Sequence, residues 1–253
     1  MWRITFPLGS NQGASELFYP NSGTYLTSRY TSRVSDTTTL HLEVGLNSTI
    51  KQATGSDSDW DYSQTSNLWY YGTFTAGGKS GYFHIDWEKP LNRTCTVNYG
   101  YSYNRNSFTM THGTYYIENY IVDNPPALLS NLASSYTISY QGPHIGISTK
   151  RKLSPSVSLD GTITVTPVAL VQGHGWWNLR SLTFVHTGAG QMWDASLGIN
   201  YAPQSSSRFN LVAGYRWQYS FLYQGVEDTS SSITWDKAVS NQHGFYLTSR
   251  FKF

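Results

Sequence analysis

The sequence predicts an all-β chain, a ten-stranded antiparallel transmembrane β-barrel of the outer membrane. Three observations carry that expectation: segments of period two recur along the whole length, the connections between them alternate short and long, and the composition is aromatic and poor in charge. Of 253 residues only 13% are charged and 16% are aromatic, with 20 Tyr, 11 Phe and 9 Trp. A soluble domain carries about 25% charged residues, so the chain has half the usual charge and more aromatic surface than one core needs. No apolar run approaches the roughly 18 residues of a spanning helix, and the mean hydropathy is −0.41. Large aromatics among few charges are also the opposite of a disordered composition.

The segments follow in order. Trp2 to Leu8 opens the series and Ser15 to Arg33 continues it. The third sets Leu40, Leu42, Val44 and Leu46 against His41, Glu43, Gly45 and Asn47, one apolar face and one polar. Leu68 to Trp87, Arg93 to Met110, Tyr136 to Arg151, Val157 to His174 and Leu182 to Tyr201 repeat the pattern. In the ninth, Phe209, Leu211, Ala213, Tyr215, Trp217, Tyr219 and Phe221 alternate with a parity that holds Arg208 and Arg216. The tenth alternates Phe245, Leu247, Ser249, Phe251 and Phe253 against Tyr246, Thr248, Arg250 and Lys252. A soluble sandwich would not turn arginines inward, whereas a membrane barrel puts its apolar face toward lipid and its polar face toward the lumen.

Short connections fall at Ser35 to Thr38, Glu88 to Asn92, Leu153 to Pro155 and Ala202 to Ser206. Long ones fall at Gly9 to Gly13, Thr54 to Asn67, His112 to Ser135, Gly173 to Asn178 and Gly225 to Gln242. They read as periplasmic turns and extracellular loops, with both termini periplasmic. An even strand count closes the sheet and leaves no edge in lipid, so residues 1–253 form one domain, a monomer. The start Met1-Trp2-Arg3-Ile4 has no charged or apolar leader region, so the mature form is expected.

Several functions are excluded. A net charge of +2 speaks against nucleic acid. The single Cys95 makes no disulfide or thiolate cluster, no histidines stand at metal-ligand spacing, and no nucleophile-elbow, phosphate-loop or dinucleotide motif occurs. No cofactor is implied. His41 and His84 read as lumen packing, His112 and His243 as solvated, and His144 and His186 as candidates to meet lipid phosphate.

The chemistry points to one rim. In the third segment odd positions face the lumen if no bulge intervenes, which turns Asp57 and Asp59 inward together, roughly 7 Å apart at their Cα atoms. Such a pair can hold a water and raise one pKa. In the seventh segment the odd positions Val157, Leu159, Ile163, Val165, Ala169 and Val171 are apolar, which assigns Gln172 and His174 to the lumen on the opposite wall. A carboxylate pair facing an imidazole can deprotonate a water without a metal.

Asp57-Ser58-Asp59-Trp60, the stretch Gly100 to Thr109 and Pro143-His144-Ile145-Gly146 resemble the omptins, ten-stranded outer-membrane endopeptidases of Gram-negative bacteria. The resemblance runs from about Ser15 to Phe253. It implies a catalytic set in which Asp57, Asp59 and His174 fill three of four places, with an extracellular cleft and a peptide or protein substrate. Gln172 stands where omptins have the aspartate of an Asp-x-His pair, and an amide cannot stabilise an imidazolium as a carboxylate does. The resemblance also implies a lipopolysaccharide site on the outer wall, with lipopolysaccharide as activator: Tyr101 and Arg105 match its strand motif and Tyr103 replaces its glutamate. Independently, Tyr101, Tyr103 and Arg105 share the lipid-facing parity, where an arginine can bind phosphate or snorkel to the headgroups. Three functions remain open: an endopeptidase working through Asp57, Asp59 and His174, a degenerate barrel acting as a surface binding or structural protein, and a small porin.

Overall fold

The structure, a computed structural model, describes residues 1–8, 11–64, 67–203, 209–228 and 230–251. The terminal signature at Phe253, with Lys252 and the inward Arg208 of the sequence reading, lies outside the described residues, as does the side chain of Arg250. The strands are β1 (Trp2–Leu8), β2 (Asn11–Phe18), β3 (Leu26–Ser35), β4 (Thr38–Asp61), β5 (Asn67–Pro90), β6 (Cys95–Glu118), β7 (Ile121–Lys152), β8 (Val157–Trp177), β9 (Leu182–Tyr201), β10 (Phe209–Glu227) and β11 (Ser230–Phe251). All pairs are antiparallel, and neighbours in sequence are neighbours in space from β4 to β11.

The predicted ten-stranded ring is present, with its second strand broken in two. β2 pairs with the far end of β4, from Phe18 opposite Ser56 to Gly13 opposite Asp61, while β3 pairs with the near end, from Leu26 opposite Leu46 to Ser35 opposite Thr38. Between them residues 19–25 are not strand, though the Lys51 amide of β4 still donates to the Ser22 carbonyl at 2.7 Å. Tyr19 turns into the interior and stacks on Phe108 at 4.7 Å, and the Tyr25 hydroxyl bonds Ser80 at 2.6 Å and Gln242 at 3.0 Å. β1 joins β2 to β11 through Trp2 opposite Ala238 and Thr5 opposite Thr234. The ring therefore closes at the long-hairpin end. At the short-turn end, among the described residues, no ladder joins β3 to the last turn-side stretch of β11.

Much of what the sequence assigns to long loops is strand. β6 and β7 continue through residues 112–135 to a turn at Asn119 and Tyr120, and β10 and β11 pair as far as Glu227 and Ser230. Alternation fails there as a guide because these walls stand above the membrane. The N-terminal expectation is also corrected: the Met1 amino group donates to the Val239 carbonyl at 2.9 Å, part-way along β11, whereas Phe251 lies opposite Phe209 at the short-turn rim.

The strands outrun the bilayer. The 24 residues of β4 extend roughly 80 Å, against about 30 Å of hydrocarbon. Continuous apolar outer columns lie in the short-turn half: Leu40, Leu42, Val44 and Leu46 on β4, and Trp193, Ala195, Leu197, Ile199 and Tyr201 on β9. Beyond them the outer face carries Lys51, Gln52 and Gln191.

The interior is filled. In the long-hairpin half Trp2, Tyr19, Phe74, Phe108, Tyr136, Met192, Leu222 and Trp235 form a buried aromatic and aliphatic core. Within the membrane band Arg216 spans the lumen to Glu43 at 2.7 Å and Asp194 at 2.6 Å. An interior void beside Tyr25, Tyr82 and Gln218 measures about 10 Å³, room for one water. His41 and His84 line this lumen as the sequence predicts. His144 and His186 also point inward, bonded to Ser102 and Tyr136, so neither reaches lipid phosphate as expected.

Candidate functional site

Asp57 and Asp59 face the interior at the long-hairpin end. Their strand is not regular: β4 slips between Asn47 and Ile50 and again between Ile50 and Ala53. Each slip reverses the side-chain parity and the two cancel. The buried positions therefore run Asn47, Ile50, then Gly55 and Asp57, and the odd-parity assignment of the acids holds.

Ser15 lies opposite Asp59 on β2 and hydrogen-bonds its carboxylate. Arg180, in the 3-10 turn Asn178–Arg180 between β8 and β9, adds positive potential to both acids. Burial pushes the Asp57 carboxyl well above the usual range and the neighbouring Asp59 adds to it, with Arg180 and a backbone hydrogen bond pulling the other way. Asp59 is raised by burial to about 6, against the opposing pull of Ser15 and Arg180. Among the described residues Asp57 Oδ1 is buried without a hydrogen-bond partner. The next acid, Asp61, is exposed and caps the following turn through Ser63 Oγ at 2.6 Å and the Tyr120 hydroxyl.

The opposite wall does not meet these acids. β8 slips once, between Thr166 and Ala169, where Pro167 and Val168 both face outward. Below the slip Thr164 and Thr166 are inward; above it Ala169, Val171, Gly173 and Gly175 are inward. Gln172 and His174 therefore stand exposed on the outer face, which corrects their expected lumen orientation. The physical reason is that two apolar environments follow one another along β8. Odd apolar residues below the slip face lipid, and odd apolar residues above it pack against the aromatic interior, so apolar parity continues while the face changes. Gln172 Oε1 accepts a 3.4 Å bond from Gln141 on the outer wall and does not hold an imidazole.

The inward imidazole at this level is His186 of β9, opposite Gly173. The sequence reading missed it as an interior group. It is fully buried between Trp2, Tyr136 and Trp235, with ring centroids at 5.2, 5.9 and 5.1 Å, and burial lowers its pKa to about 4. Nε2 lies 3.8 Å from Glu227. Tyr136 also stacks on Tyr19 at 6.3 Å, and Tyr19 in turn feels the charge of Asp57. Aromatic rings thus fill the path from the acid pair to His186. Gly173 permits this packing: a Cβ there would lie 2.2 Å from the Tyr136 hydroxyl. Among the described residues no three His, Cys, Asp or Glu side chains gather to hold a metal.

On the outer wall Tyr101, Tyr103 and Arg105 share one face of β6, as the parity predicts. Tyr101 donates to Gln141 at 3.1 Å, and Arg105 lies opposite Ser139.

An antiparallel wall that closes into a ring at the long-hairpin end and carries an apolar outer band is the architecture of an outer-membrane β-barrel. The chain belongs to the family Pom: Protochlamydia outer membrane protein, whose model matches residues 92–219, just over half of the 253 residues. It is a protein of the bacterial outer membrane. Among solved structures it is similar to the crystal structure of the outer membrane protease OmpT from Escherichia coli, with a TM-score of 0.73 and 12% identity, covering 100% of this chain and 92% of that one. At that identity the likeness is one of fold. No curated protein matches the chain in sequence.

Proposed function

We propose that this protein is a surface barrel of the outer membrane with a structural or binding role, and that it does not hydrolyse peptides through the omptin-like residues. The observation that carries this reading is that Asp57 faces the interior while His174 is exposed on the outer face. General-base activation of water needs the base within hydrogen-bond reach of the water, directly or through one bridge, and residues on opposite sides of a sheet share none. In this reading Asp57 and Asp59 are interior acids beside Arg180, and Gln172 and His174 belong to the outer wall.

The long hairpins built from residues 112–135 and 225–242 are then the contact surface, directed to the extracellular side. Tyr101, Tyr103 and Arg105 would touch lipopolysaccharide headgroups as part of membrane anchoring, with no activating role. The filled lumen favours this reading over a porin, since Arg216 and the aromatic core occupy the space an ion would cross.

The test is a refolded barrel, with and without lipopolysaccharide, offered a broad peptide library and measured in parallel in planar bilayers. The expected result is no cleavage and no steady conductance, with Gln172→Asp failing to create cleavage. Cleavage abolished by both Asp57→Ala and His174→Ala would overturn the reading in favour of the peptidase, and ohmic conductance would overturn it in favour of the porin.

A further inference from the structure

On the outer wall, Trp87 of β5 and Tyr99 of β6 are cross-strand partners whose rings stack at 6.2 Å and 18°. Beside them opens a crevice of about 410 Å³ lined by Trp87, Tyr99, Gly100, Pro143 and His144. Its origin is local. Gly100 has no side chain, and its partner His144 turns its ring inward to Asp86 at 2.8 Å and Ser102 at 2.7 Å. The His144 side chain has no exposure, so only its backbone reaches the crevice. Gly100 and His144 are inward positions, so the crevice floor is backbone, bordered outside by the outward Trp87, Tyr99 and Pro143.

Toward the short-turn rim the outward positions become cationic. Lys89 lies 5.8 Å from the centre of the Tyr99 ring. Cys95 pairs with Thr149 and the Lys150 amide donates to the Thr94 carbonyl at 2.9 Å, which sets the bend of residues 91–94, with Arg93, beside the end of β7 that carries Arg151. Both arginines are exposed. Among the described residues no carboxylate pairs with Lys89, Arg93 or Arg151. From Tyr99 down to Cys95, where β6 begins, is four residues, roughly 13 Å, close to one leaflet's hydrocarbon of about 15 Å.

We propose that this crevice binds one anionic glycerophospholipid from the leaflet at the short-turn end. An acyl chain lies along Trp87, Tyr99 and Pro143, and the phosphate sits among Lys89, Arg93 and Arg151. The amphipathic aromatics supply an apolar face beside a wet rim, and the cations supply selection for negative headgroups.

The test uses the full barrel in micelles doped with phosphatidylglycerol or phosphatidylcholine of identical chains, or with lipid A, with retained lipid counted by native mass spectrometry. Phosphatidylglycerol should be retained in preference, and the double variant Lys89→Glu/Arg151→Glu should lower that retention about tenfold or more. Trp87→Ala should weaken both lipids alike. The charge-reversed side chains are exposed, so the barrel should keep its heat-modifiable gel shift. Equal retention of the two lipids, unchanged retention in the charge-reversed variant, or preference for lipid A over phosphatidylglycerol would each overturn the proposal.

Discussion

Arg216 and Glu43, 173 residues apart in the chain, meet at 2.7 Å across the inside of the barrel. The same guanidinium bonds Asp194 at 2.6 Å and the Tyr82 hydroxyl at 2.6 Å, and sits 4.5 Å over the Tyr82 ring. One cation holds two carboxylates from opposite walls, β4 and β9, and bars the lumen.

Removing it leaves those acids facing each other in a confined space. Arg216→Met should therefore destabilise the barrel by about 3–5 kcal/mol, the cost of breaking a buried pair from one side. Urea unfolding in micelles measures this, and a loss under about 1 kcal/mol would mean that the network is solvated.

The reversal of face on β8 can be read chemically. In a Cys95→Ser background, His174→Cys should react readily with a bulky hydrophilic maleimide on the folded barrel, because position 174 is exposed. Asp57→Cys, at a position 8% exposed, should react only after unfolding. Protection of position 174 together with position 57 would restore a shared interior site.

The acid pair makes stability depend on pH. Asp59 titrates near 6 in the fold against 3.8 for the free side chain. A carboxyl whose folded pKa is raised binds more protons folded than unfolded, so it costs nothing below pH 4, and the cost grows until pH passes 6. Stability should fall by about 3 kcal/mol across that window. Asp59→Asn should reduce the fall, leaving the part due to Asp57, and make the barrel more stable at pH 7. A wild-type stability that rises between pH 4 and 6 by the same amount, with Asp59→Asn unchanged, would contradict the assignment.

The seam at the short-turn end should show in hydrogen exchange. Leu26 on β3 and Phe245 on β11 are 83% and 91% exposed, against 48% for Ile163 in the fully laddered β8. Amides of residues 26–35 and 243–251 should exchange faster in micelles than those of residues 96–110 and 136–149, which are paired on both sides. Equal protection would mean that a strand fills the seam in the assembled protein.

Most of the architecture was legible because the membrane imposes one rule on every strand near the short-turn end. The outward apolar columns of β4, β9 and β10 could be read by counting in twos, and so could the outer placement of Tyr101, Tyr103 and Arg105. Asp57 came out on the expected face although its strand slips twice, since two reversals cancel. His174 did not, because β8 slips once. The available signal was Pro167, which has no N–H to give a central ladder and so marks a bulge.

By itself the sequence determined that the chain would be a closed barrel with a lipid-facing belt, because alternation near the membrane is dictated by a solvent common to all strands. Only the tertiary structure decided which wall each side chain of the upper barrel faces. There the interior is packed with aromatics as apolar as lipid, so apolar residues no longer distinguish outside from inside, and the bulges that set the face show only when strands pair.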